Sequence, residues 1–185
     1  MTVFTRLAIP EVMLVVPPRL TDPRGYFSET YVKSRFDAHG MSCTFVQDNE
    51  SLSEPAGTIR GLHFQAPPHA QAKLVRVVQG AVFDVAVDIR KGSPTYGQWV
   101  SATLTAEGGE QLFVPHGFAH AFCTLVAKTK VLYKVDDVYA RACEGGIVWN
   151  DPDLDIRWPV AHPLLSDKDR ALPRLRDLDS PFVLV

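Results

Sequence analysis

Residues 81–89 read AVFDVAVDI, and the alternation within this stretch decides the fold. Phe83, Val85, Val87 and Ile89 fall on one side of an extended chain, with Asp84, Ala86 and Asp88 on the other. The strand is expected to have one core face and one polar face. Working outward, short β-branched runs recur between turn residues from about residue 45 to 148: IRGLHFQ, KLVRVVQG, GQWVSATL, EQLFVP, HAFCTLV, KVLYKV and GGIVW. That rhythm predicts a mainly β protein, an antiparallel sandwich or barrel. Residues 29–38, ending before Gly40, read as a short helix. Ser166, followed by Asp167 and Asp169, reads as the capped start of another. The tail beyond, with Pro173 and Pro181, is expected to be extended.

A chain of 185 residues, 46% of them hydrophobic, suits one domain with a real core and is too short for two ordinary ones. Residues 1–185 therefore form a single unit: an N-terminal arm over about 1–30, a β core over about 44–150, and a helical and extended segment over about 160–185. A formal charge of -2 lacks the basic surplus of a nucleic-acid binder. No apolar run approaches the length of a membrane span, and the start MTVFTRLAIPEVMLVV has no small-residue cleavage site, so a cytoplasmic protein is expected. Cys43, Cys123 and Cys143 are odd in number and form no CxxC pair, which suggests buried reduced thiols.

The run IRGLHFQ (59–65) sets two polar groups among residues that favour burial. Strict alternation puts His63 with Ile59, Gly61 and Gln65, but sends Arg60 to the other face with Leu62 and Phe64. Both can line one pocket only if the strand bulges or bends, and Gly61, lacking a side chain, is the expected place.

In GEQLFVPHGFAH, Gly109 is followed after five residues by Pro115, His116 and Gly117, and then by His120. This resembles the second motif of the cupin barrels, with Thr124 where the family closes on Asn. Gly57 and His63 resemble the first motif, but Gln65 stands at the second metal-binding His, and His69 and Ala70 stand where Glu belongs. His63 and His120 supply two ligands where a first-row metal needs three or four. A neutral imidazole instead suits general-base work near pH 7. No metal and no cofactor is expected, a metal-dependent cupin oxygenase being the weaker alternative.

Longer stretches carry a more specific likeness. PRGYFSE, FVQDNESLS, RGLHFQAPPHAQAKLVRVVQGAVFDVAVDIRKGSPTYGQW, QLFVPHGFAHAF, YKVDDVY, WNDPDLDIRWP and LSDKD, in that order, resemble the dTDP-4-dehydrorhamnose 3,5-epimerases. The resemblance implies a cupin-type jelly roll with a few short peripheral helices. It also implies epimerisation at C3 and C5 of dTDP-4-dehydro-6-deoxy-D-glucose by removal and return of protons. By position it makes His63 the base, Tyr133 the acid, Lys73 the cation near the C4 oxygen and Asp169 the carboxylate that orients His63. Each residue type suits its role: a phenol stays protonated until needed, and an ammonium is far stronger against an oxyanion in a dry pocket than in water.

The same resemblance assigns substrate binding to Arg24, Glu29, Gln47, Asp48, Asn49, Arg60, His120, Glu144 and Lys168, with Tyr139 stacking on thymine. Planar arginine forks suit diphosphate oxygens. It implies a homodimer in which the arm bearing Arg24 and Glu29 completes the neighbour's site. Taken singly, Arg60 reads as a rim residue, Lys73 as a solvated side chain, and Tyr133 as a half-buried strand tyrosine. Asp48 reads as a turn residue. Three places are open to Asp84: beside Lys73, behind His63, or in solvent. A mono-epimerase of C3 or C5 would use the same base, acid and cation.

Overall fold

The computed structural model describes residues 1–184. In chain order the first elements are β1 (Val3–Arg6), β2 (Met13–Val16), β3 (Leu20–Asp22), β4 (Gly25–Phe27), α1 (Lys33–Asp37), β5 (Gln47–Ser53), β6 (Ile59–Gln65) and β7 (Lys73–Gln79). They are followed by β8 (Ala81–Asp88), β9 (Trp99–Thr105), β10 (Gln111–Val114), β11 (Phe118–Thr124), β12 (Thr129–Val135), β13 (Glu144–Gly146) and α2 (Asp167–Arg170). Two antiparallel sheets form, ordered β1-β2-β10-β7-β12-β5 and β13-β6-β11-β8-β9, while β3 and β4 make a separate hairpin. The expected sandwich is present, with open sheet edges rather than a closed barrel.

The core between the sheets joins Val75 and Val77 of β7, Leu112 of β10 and Val131 of β12 to Val82, Ala86, Leu104, Phe118 and Phe122 from the facing sheet. Each Val, Leu or Phe side chain among them, taken fully from water, contributes roughly 1.5–3 kcal/mol. This arrangement corrects the reading of β8. Ala86 belongs to the inner core, so the face it shares with Asp84 and Asp88 points into the sandwich and not to solvent. Val85, Val87 and Ile89 lie on the outer face with Leu62, Phe64, Ala119 and Ala121, beneath Ile147, Leu154, Leu175 and Phe182 from the C-terminal chain. Both faces of β8 are buried because a distant segment covers the second one.

The N-terminal arm is shorter than the expected 1–30. β2 pairs with β10, and Met13 and Val15 pack with Phe36, Met41, Leu74 and Phe113, so the first sixteen residues belong to the body. What stands off is the β3–β4 hairpin, with Leu20, Tyr26 and Phe27 exposed. The helix expected over 29–38 contracts to α1. Residues 29–32 include the β-branched Thr30 and Val32, which disfavour helix, and Val32 at the N-cap is extended with no side-chain cap. α2 starts as expected, Ser166 Oγ accepting from the Asp169 amide at 3.1 Å. The tail is not wholly extended, since residues Leu175–Asp177 make a 3₁₀ turn whose Leu175 amide donates to Asp151 Oδ2 at 2.5 Å. Among the described residues, no helix is long and apolar enough to cross a membrane.

Candidate active site

The site begins at the irregularity in β6. His63 pairs with His120 of β11, but Arg60 pairs with Phe122, so three steps along β6 match two along β11. The extra residue falls beside Gly61, as its missing side chain predicted. Its φ is +122°, and a Cβ there would lie 2.5 Å from the carbonyl oxygen of His120 and 2.6 Å from the Ala121 Cβ. Only glycine fits. The bulge reverses the parity problem: Arg60 and His63 both line one cavity of about 480 Å³ while Leu62 and Phe64 stay in the outer core. The Arg60 guanidinium reaches across to the other sheet, donating to Ser53 Oγ at 3.1 Å and to the Leu52 carbonyl at 3.0 Å.

Two histidine–carboxylate pairs stand side by side on this wall. His63 Nε2 lies 2.6 Å from Asp169 Oδ1. Burial alone would push the Asp169 carboxyl up, but hydrogen bonds from His63, the Gly61 amide and Ser166 hold it below its ordinary value. The cap of α2 and the bulge of β6 therefore converge on one carboxylate, which fixes the ring of His63. His120 Nε2 lies 2.7 Å from Asp84 Oδ1. Of the three places open to Asp84, two fail: it neither backs His63 nor faces solvent but binds His120, and its charge acts on Lys73 without a direct ion pair.

The facing sheet supplies the other two groups. Lys73 of β7 and Tyr133 of β12 point inward from neighbouring strands, Tyr133 being paired with Val75 and Lys73 with Val135. The Lys73 ammonium donates to the His63 carbonyl at 3.4 Å. Desolvation lowers its pKa to about 8 against the opposing charges of Asp84 and Glu144. Burial pushes the Tyr133 phenol up, with the Arg60 charge working the other way. His63 and Tyr133 thus face each other from opposite sheets.

His63, Lys73 and Tyr133 also border a smaller cavity of about 160 Å³ that adds Gln47, Asn49, Gln65, Gln71, Tyr139 and Glu144. The three groups occupy the waist of a two-lobed cleft. At its rim Tyr139 Oη donates to Glu144 Oε2 at 3.2 Å, and Lys168 forms an ion pair with Glu144. Gln47 Nε2 donates to Asn49 Oδ1 at 2.9 Å. Gln65 is buried, its amide donating to the Val138 carbonyl at 3.0 Å and accepting from the Ala140 amide at 2.8 Å, so it props the loop that carries Tyr139. That role was invisible in sequence, where Gln65 registers only as a missing histidine.

Three expected binding residues do not reach the cleft. Asp48 alternates with Gln47 and Asn49 and so points outward, where it pairs with Lys134 at 2.8 Å. Arg24, with its side chain 89% exposed, pairs with Asp22 on the detached hairpin, and Glu29 pairs with Arg35. His69 and His116, the spare histidines, are tied to Asp137 and Asp136. Among the described residues no group of three or more His, Cys, Asp or Glu side chains is placed to hold a metal ion.

An imidazole paired with a buried carboxylate, with a phenol and an ammonium reaching the same cavity from the facing sheet, can move a proton onto and off a carbon acid. The family model described as dTDP-4-dehydrorhamnose 3,5-epimerase matches residues 6–177. The chain belongs to this family. A dTDP-4-dehydrorhamnose 3,5-epimerase of Sinorhizobium fredii is 51% identical over 183 residues, covering 98% of this chain and 94% of its own. A solved epimerase from Bacillus anthracis, with TDP and PPi bound, superposes with a TM-score of 0.92 at 50% identity, covering 94% of this chain and 99% of that one. An epimerase from Legionella pneumophila in complex with dTDP-4-keto-L-rhamnose has a TM-score of 0.92 at 42% identity, with 97% and 95% covered. The epimerase family accounts for the sandwich and for the order of its motifs.

Proposed function

We propose that this chain epimerises C3 and C5 of dTDP-4-dehydro-6-deoxy-D-glucose, giving dTDP-4-dehydro-L-rhamnose, with His63 as base and Tyr133 as acid. The observation that carries the reading is the placement of these two side chains on opposite walls of one cavity, with Asp169 behind the first and Lys73 beside both. The C4 ketone makes the hydrogens on C3 and C5 labile. His63 takes one of them, the C–H electron pair moves into an enolate, and the charge collects on the C4 oxygen. Lys73 meets that charge; with a pKa of about 8 it is mostly protonated at neutral pH. Tyr133 then delivers its proton to the opposite face of the carbon, which inverts the centre. Asp169 stabilises the imidazolium that forms between the two transfers. Phenolate and imidazolium return to their starting states by exchange with solvent.

Arg60 is assigned to the diphosphate, Tyr139 to the thymine ring, and Gln47, Asn49, His120, Glu144 and Lys168 to the remaining contacts. Arg24 and Glu29 are assigned to the cleft of a second copy in a homodimer, which suits a hairpin that leaves Leu20, Tyr26 and Phe27 uncovered. Incubation with the ketosugar in D2O tests the reaction: deuterium should enter both C3 and C5. Label at one carbon only would make the chain a mono-epimerase, and label at neither would remove the proposal.

A further inference from the structure

Along β5, Gln47, Asn49, Ser51 and Ser53 are sheltered while Asp48, Glu50 and Leu52 are exposed, so the inner face presents four polar side chains in a row. Three have partners: Gln47 and Asn49 bond each other, and Ser53 accepts from Arg60. Ser51 is the exception. Its Oγ is buried with no hydrogen-bond partner among the described residues, although Ser51 lines the same cavity as Arg60, His63, Lys73 and Tyr133. A buried hydroxyl without a partner is costly and uncommon, and alanine would remove the cost. A ligand that supplies the missing partner accounts for it, since a turn about the Cα–Cβ bond between staggered wells re-aims the hydroxyl.

The surroundings say which part of a ligand that is. Arg60 bonds the two residues that follow Ser51, the carbonyl of Leu52 and the hydroxyl of Ser53. Lys73 lies instead under the influence of Asp84 and Glu144. In a pyranose, C1 and C4 are across the ring from each other. With the C4 oxygen at Lys73 and the diphosphate on C1 at Arg60, the group beside Ser51 is a neighbour of C1, and of the two neighbours only C2 carries a hydroxyl, the other being the ring oxygen. Resting on the site reading above, we infer that Ser51 is a specificity residue that hydrogen-bonds the C2 hydroxyl of the sugar, a group that takes no part in either proton transfer.

Calorimetric binding of dTDP-glucose, dTDP-2-deoxyglucose and dTDP to the wild type and to Ser51→Ala tests this without requiring turnover. Losing one neutral hydrogen bond should weaken dTDP-glucose binding roughly three- to tenfold in the variant. Wild type should bind the 2-deoxy sugar more weakly by a similar factor, the two losses should not add, and dTDP itself should bind both proteins equally. Additive losses, or an equal loss for dTDP, would overturn the assignment. If the variant does not fold, equal affinity of the wild type for the two sugars does the same. Absence of deuterium exchange, by contrast, counts against the epimerase reading alone.

Discussion

Strand β8 carries two carboxylates four residues apart, Asp84 and Asp88, both 0% exposed and both on its inner face, yet their surroundings differ. Asp88 is saturated. Its Oδ1 accepts from the Arg90 amide and Nε at 2.9 Å, and its Oδ2 from the second Arg90 donor at 2.7 Å and from Ser93 and Thr95 at 2.6 Å. Arg90 is itself anchored by Glu11 and lies 4.7 Å over the Phe118 ring. Asp84 has one bond, to His120, and its Oδ2 has no partner among the described residues. The satisfied carboxylate clamps the turn after β8. The half-satisfied one sits behind His120 with an oxygen left over, and its charge raises the pKa of Lys73. One end of the strand locks the fold and the other adjoins the residues proposed for the chemistry.

The contrast can be tested from either end. At the cavity end the largest effect belongs to His63→Asn, which should lower the exchange rate by about 10²–10⁴-fold while leaving dTDP binding largely intact. Normal exchange in this variant would place the base elsewhere. At the locked end, Asp88→Ala leaves the largely buried Arg90 guanidinium with Glu11 as its one carboxylate partner and should cost about 3 kcal/mol in urea unfolding. Its rate per folded molecule should hold. Although burial raises it, the Asp88 carboxyl is held below 3.8 overall by Arg90, Ser93 and Thr95. A carboxylate depressed in the folded state stabilises above its unfolded pKa, and that contribution fades as pH falls through the folded value. The variant should therefore lose part of the wild type's sensitivity to acid below about pH 4.

A smaller effect, about 10-fold to 10²-fold, is expected from Tyr133→Phe, and in product formation more than in initial deprotonation. Single-turnover deuterium labelling separates the two steps, and full-rate inversion would dismiss the phenol as acid. Asp84→Asn should act most gently. Lys73 must be protonated to meet an oxyanion, so activity should decline as pH rises through about 8. Asp84 raises the Lys73 pKa, so removing its charge should shift that decline to lower pH with little loss of stability. An unmoved alkaline limb would mean that Asp84 and Lys73 are not coupled.

Much of this was legible beforehand. The runs over 59–65 and 73–80 correspond to β6 and β7 almost residue for residue, because alternating β-branched residues bounded by turn residues leave few other conformations. The bulge at Gly61 followed from a conflict of parity, and the placement of Lys73 and Tyr133 in one cavity with His63 followed from motif order. Asp48 failed because its motif was matched as a block, whereas alternation turns every second residue of β5 away. Ser51 carried a usable signal in that same alternation. Asp84 did not: the partner of a carboxylate depends on which strand lies beside its own, here β11 with His120.

What the amino-acid order determined by itself was local: which stretches extend, which side chains share a face, and where a strand must buckle, since these depend on backbone sterics and neighbouring residues. What only the folded molecule decided was which of the two faces of β8 lies inside. Its apolar side is sealed by Leu154, Leu175 and Phe182, residues far along the chain, and so the side bearing Asp84 and Asp88 turns inward to the second sheet. Burial is a relation between distant segments, and periodicity within one segment cannot state it.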